Sequence, residues 1–248
     1  MFRLKPDINI EVDIGGKKYS SHASATTTFR DDILSEIVNA TATIKPIDTV
    51  VITIDSTDYT YSSGLTQTGA SGATVYFRTD ALSISATGTL TDIKLKADNG
   101  NKTYFTVSGL SWDVEEGTSI AIKVTISWST TTSTSPGGTV SGVNAWLVNV
   151  TRRLDSSYTT GIWFTTVEFW DSALTAGPVD TDSSPTATQL DADTVRIEGI
   201  SNPSNDVDID EIHYISNTGD EIIHDLGAYY TLTGGLNNKA RLEITITV

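Results

Sequence analysis

Alternation of apolar and polar residues dominates the chain. Ile8, Ile10, Val12 and Ile14 are separated by Asn9, Glu11 and Asp13, then come Gly15-Gly16 and Lys17-Lys18-Tyr19. A strand has a side-chain period of two, and a Gly-Gly pair supplies the positive φ angles of a two-residue turn, so this segment predicts a β-hairpin. Short apolar or alternating runs predict further strands at Val50 to Ile54, Thr74 to Arg78, Leu82 to Ser85, Ile93 to Ala97, Tyr104 to Val107 and Ile120 to Trp128. Val143 to Leu154 and Tyr158 to Trp170 read as two long aromatic-rich strands. Strands resume at Thr194 to Glu198, Ile209 to Ile215, Glu221 to His224, Tyr229 to Leu232 and Ala240 to Val248. Only Asp31 to Val38 has helical spacing: Ile33, Leu34, Ile37 and Val38 share a face, and the Asp31-Asp32 pair suits a helix N-terminus.

The two halves echo each other. Ile93-Lys94-Leu95 leads through Asn99-Gly100 to Tyr104-Phe105-Thr106-Val107, and closes on the alternating run Ile120 to Trp128. Ile212-His213-Tyr214 leads through Thr218-Gly219 to Glu221-Ile222-Ile223-His224, and closes on Ala240 to Val248. A duplicated unit would give two antiparallel β-sandwiches, each ending on a long strand. The expectation is therefore an all-β fold of two Ig-like or jelly-roll-like sandwich domains. Residues 1–46 form an N-terminal hairpin, short helix and arm, 47–129 the first sandwich, 130–142 a Ser/Thr/Gly linker and 143–248 the second sandwich.

Composition narrows the function. The 248 residues carry 16 Lys plus Arg against 31 Asp plus Glu, a net charge of -15, and no cysteine. Thiol catalysis, disulfide scaffolds and cysteine-ligated metals are excluded. The only adjacent basic pairs are Lys17-Lys18 and Arg152-Arg153, so no nucleic-acid partner is expected. No apolar run approaches the roughly 18 residues of a membrane span. The opening Met1-Phe2-Arg3-Leu4-Lys5-Pro6-Asp7 lacks the apolar core of a signal peptide, which favours synthesis in the cytoplasm.

Three constellations carry candidate chemistry. Asp206, Asp208 and Asp210 recur at every second residue. Such carboxylates suit calcium, but the spacing is also that of a solvated strand face, and the Gly and distal Glu of an EF-hand loop are missing. No cofactor is expected, with calcium as the alternative. His213 and His224 fall on neighbouring strands and could approach each other, but two histidines without a third ligand make a poor metal site, as does His22 alone. Trp146, Trp163, Phe169 and Trp170, with Phe164, form an aromatic cluster. Alternation puts Trp163, Val167 and Phe169 on one face and Phe164 and Trp170 on the other, so both faces need cover, from core and protein interface or from a sugar. Nucleophile elbows, zinc-protease motifs and phosphate-binding glycine loops are absent, and a non-enzymatic protein is expected.

The run Ile93-x-Leu95, Asn99-Gly100, Tyr104, Gly117 and Ile120 to Trp128 resembles terminal β-sandwich units of structural proteins from tailed phages and related viruses. The second copy departs from it, with Val248 in place of the final Trp. The stretch Ile10 to Tyr19, then Phe29-Arg30-Asp31-Asp32-Ile33 and Asn39-Ala40-Thr41-Ala42-Thr43-Ile44, is similar to the opening of tail-tube and hub-type phage proteins. The resemblance covers about half the chain. It implies a virion structural protein of a tail, fibre or capsid-decorating layer, partnered by itself and other virion proteins, with no catalytic residues. The alternatives are a cell-surface adhesin or pilus-type subunit located outside the cell, and a carbohydrate-binding module for a host-surface glycan.

Overall fold

The computed structural model describes residues 1–134, 137–173 and 177–248. Parts of the expected linker (135–136) and of the loop after Trp170 (174–176) lie outside these residues. The fold is mostly β, with 58% of residues in strands and 9% helical, in two antiparallel sheets, one a curled half-barrel.

The first hairpin is β1 (Phe2–Ile14) and β2 (Lys17–Ala25), followed by helix α1 (Thr27–Asn39). Then come β3 (Ile47–Ile54), β4 (Thr57–Ser62), β5 (Thr66–Ser71), β6 (Thr74–Arg78) and β7 (Leu82–Ser83). The next group is β8 (Gly88–Ala97), β9 (Lys102–Val107), β10 (Trp112–Val114) and β11 (Ser119–Thr132). The second half holds β12 (Thr139–Ser141), helix α2 (Val143–Arg152), β13 (Phe164–Trp170), β14 (Asp180–Asp182) and β15 (Thr186–Gln189). It ends with β16 (Thr194–Ser201), β17 (Val207–Ser216), β18 (Glu221–Leu232) and β19 (Asn238–Ile246).

The larger sheet has 14 strands and is organised around β1. One edge of β1 pairs with β11 along its whole length, Phe2 opposite Thr132 through Ile14 opposite Ile120. Its other edge is shared: Phe2–Leu4 run parallel to β19, and Ile8–Ile14 run antiparallel to β2. Pro6, which has no N–H to give a ladder, sits in the gap between those two partners. Beyond β2 the sheet continues through β9, β8 and β3 to β4, and beyond β19 through β16 to β15. The smaller sheet has the order β12-β18-β17-β13-β14.

Burial follows the strand period. Ile8, Ile10, Val12 and Ile14 of β1 and Ile120, Ile122, Val124 and Ile126 of β11 are all buried. Helix α1 packs Phe29, Ile33, Leu34 and Ile37 into the same core, with Phe29 edge-on to Phe105 at 4.9 Å between ring centroids. It begins earlier than its apolar residues suggest, because Thr26 caps it, its hydroxyl accepting from the Phe29 N–H at 3.4 Å. Asp31 and Asp32 therefore lie past the first turn.

The expected strand Val143 to Leu154 is a helix instead. Val143, Trp146, Leu147, Val150 and Leu154 are all buried and recur at three- and four-residue intervals. Its valines carry β-propensity, but the tertiary contacts of an apolar stripe outweigh that preference. The expected strand Tyr158 to Trp170 shortens to β13. In both halves a hairpin precedes a closing strand, and a preceding short strand pairs antiparallel with it: β7 with β11, β16 with β19.

Candidate interaction surface

The aromatic cluster divides between core and surface. Trp146 and Phe169 are buried within the chain itself, and Trp146 stacks on buried Phe164 with centroids 5.9 Å apart. A register shift between Phe164 and Thr166 changes the phase of β13, so Phe164, Val167 and Phe169 are all buried. Trp163 and Trp170 are half-buried. Trp163 is fixed through Asn217, whose side chain accepts from the Trp163 N–H at 2.9 Å and donates to the Gly161 carbonyl at 2.8 Å. Trp170 donates its indole N–H to Glu168 at 2.8 Å and stacks on His213 at 5.1 Å.

The three aspartates are not brought together. Asp206 accepts from the Gly234 N–H at 2.8 Å, Asp208 from the Thr231 hydroxyl at 2.6 Å, and Asp210 from the Ser172 N–H at 2.7 Å and its hydroxyl. Among the described residues no group of three or more His, Asp or Glu could hold a metal ion. The histidines are likewise apart. Ile223 faces His213 across the ladder and His224 faces Ile212, so the two imidazoles lie on opposite sides of the sheet. His213 sits between Glu211 at 3.0 Å and Glu221 at 3.7 Å, whereas burial lowers the pKa of His224. His22 approaches exposed Asp7 at 3.1 Å.

The most open part of the smaller sheet is a feature the alternation does not reveal. In the β17–β18 ladder Ile209 faces Tyr230 and Glu211 faces Asp225, so Asp210 alone spans Leu226 to Tyr229. Four residues of β18 opposite one of β17 make a wide bulge. Gly227 to Thr231 are five successive exposed residues, with Tyr229 56% and Tyr230 38% accessible. Asp171 lies 3.5 Å from the Tyr229 hydroxyl, and its charge, with those of Asp210 and Asp208, pushes the phenol pKa up. The sequence signal is Gly227-Ala228, a small-residue break in a strand pattern.

A buried hub joins the first 46 residues to the second half. Glu36 is 1% exposed and accepts backbone N–H groups from Thr43 at 2.9 Å, Ile44 at 3.0 Å and Ile162 at 2.7 Å. Arg153 lies 3.8 Å from it and donates to the carbonyls of Ile44, at 3.0 Å, and Tyr158. Burial pushes the Glu36 carboxyl up, opposed by the three N–H groups and Arg153, and it pushes the Arg153 guanidinium down. Beside the hub, Tyr104 donates to Asp32 at 2.5 Å while Lys102 holds Asp32 at 2.7 Å. In sequence, Glu36 is marked only by its place three residues after Ile33, on the apolar stripe of α1. No family model, no curated protein and no solved structure matches this chain.

Proposed function

We propose that the chain is a non-enzymatic structural subunit that self-assembles through its sheet surfaces. The observation that carries this reading is the exposed stretch Gly227 to Thr231. A strand that stays open along both faces while carrying two accessible tyrosines is apolar surface without cover, the composition of a protein contact rather than of a resting exterior. A two-stranded ribbon is also marginal in water without further packing, so cover from a neighbour would stabilise it. The resemblance of the Ile93 to Trp128 unit and of the opening hairpin to tailed-phage structural proteins makes the assembly a virus particle, as tail, fibre or decorating layer. Two sandwich-like units, each a hairpin and a closing strand, would share β1 as their common strand.

Sedimentation velocity of the full chain over a wide concentration range tests the reading. Discrete oligomers or regular arrays are expected, and a protein that stays monomeric throughout would count against it. Glycan-array binding that survives dissociation into monomers would favour the carbohydrate alternative.

A further inference from the structure

Charge is unevenly distributed. Residues 1–129 hold 11 Lys plus Arg against 15 Asp plus Glu, and residues 130–248 hold 5 against 16. Arg196, Lys239 and Arg241 are already engaged by Glu243 and Glu198. On the outer face of β2-β1-β11-β6 the situation is reversed. Arg78 and Lys123 stand directly opposite one another in the β6–β11 ladder, and neither forms an ion pair among the described residues. Glu11 faces Lys123 from the other side, in the β1–β11 ladder, so this row carries two cations to one carboxylate, and a further anion at its Arg78 end would be favoured. Two adjoining grooves of about 430 Å³ and 440 Å³ meet there, sharing Glu11 and Lys123, with 40% exposed Tyr76 in the second.

We propose that this face receives the Tyr229-Tyr230 bulge of a second copy, so that subunits join head to tail. The proposal rests on the self-assembly reading and names its contact. Two copies of a -15 chain repel, and an isologous contact through the bulge would set Asp171, Asp208 and Asp210 against their own copies. Placing the bulge on the Arg78–Lys123 face instead sets carboxylates beside a row with two cations to one carboxylate, and tyrosine rings beside exposed Tyr76. Such a heterologous contact uses two different patches, so it generates rings if the rotation closes and filaments if it does not.

The test uses two double variants of the full chain, Arg78→Glu with Lys123→Glu on the face and Asp208→Asn with Tyr229→Ser on the bulge, so that the two altered patches do not attract each other. Each alone is expected to weaken association by about tenfold or more. Mixed in equal amounts they should form a dimer and stop there, because each variant retains the one patch that the other lacks. Circular dichroism checks folding, and the milder Lys123→Gln and Asp208→Asn replace any variant that fails it. If the wild type assembles and both variants assemble equally well, or the mixture forms no dimer, this contact is wrong while self-assembly stands. If the wild type is monomeric at every concentration and salt, the underlying reading falls as well.

Discussion

Glu36 ties α1 to the second half of the chain through the Ile162 N–H and Arg153. Removing one member of a buried, hydrogen-bonded ion pair strands the other, and Glu36→Ala is expected to cost about 3–5 kcal/mol in urea unfolding. The pH dependence has a definite sign. Burial raises the Glu36 carboxyl above its unfolded value, so the folded state holds its proton to higher pH than the unfolded state does. Its contribution is full below the ordinary glutamate range and is lost as pH rises through the raised value. The unfolding midpoint of the wild type should therefore fall, relative to that of Glu36→Gln, as pH rises from about 4 upwards. A constant difference between the two proteins would show that Glu36 stays ionised when folded. Trp128 donates its indole N–H to Thr151 of α2 at 2.7 Å. Trp128→Phe keeps most of the apolar volume and should cost about 1 kcal/mol for the lost bond, read in the same unfolding experiment.

At the scale of elements, glycines at similar φ separate two kinds of cost. Gly142 precedes α2 at φ +80°, and a Cβ there would collide with the Glu221 carbonyl oxygen. Gly117 has φ +82° and nothing within 4 Å. Gly117→Ala should cost only the backbone strain, about 1 kcal/mol, and Gly142→Ala clearly more, because β12 and β18 must move apart. Equal losses in thermal denaturation would contradict the close approach. Much of this level was legible in the chain. Ile8 to Tyr19 form the hairpin that alternation and Gly15-Gly16 specify, and Thr74 to Arg78 is β6 as the pattern predicts. The failures share one cause, which is that period and propensity are local while burial is not. Val143, Trp146, Leu147 and Val150 fit a helix, but their β-branched neighbours resemble a strand until α2 is seen packed beside β18. The phase change at Phe164 and the extent of the four-residue bulge opposite Asp210 depend on pairing partners more than a dozen residues distant, which local period alone does not encode.

For the whole molecule, acidity is positional. The excess of carboxylates lies in the second half, and the facing cations Arg78 and Lys123 of the β6–β11 ladder lie in the first. Association driven by these patches should weaken steeply between low salt and about 0.5 M, where the screening length falls to a few ångströms. Salt-independent oligomers in sizing chromatography would point to an apolar contact instead. The candidate surface itself is poorly legible in sequence, since the aromatic cluster points to Trp146 and Phe169, which are core, while Tyr229 and Tyr230 belong to an ordinary short strand pattern and are open. Residue type marks what could serve a contact, and only the fold says which side chains are left over.

The pairing of β1 has a consequence in time. Its Phe2–Leu4 edge is completed by Ile244–Ile246, more than two hundred positions later, and its opposite edge by Ser119–Thr132. During synthesis β1 emerges well before β19 and waits, apolar on alternate positions, until that partner has been made. Distant pairings of this kind pay for loop closure before any contact rewards them, so folding should be slow and β1 should be completed late. Until that moment the nascent chain carries an unsealed seam at its centre, open to whichever neighbour reaches it first.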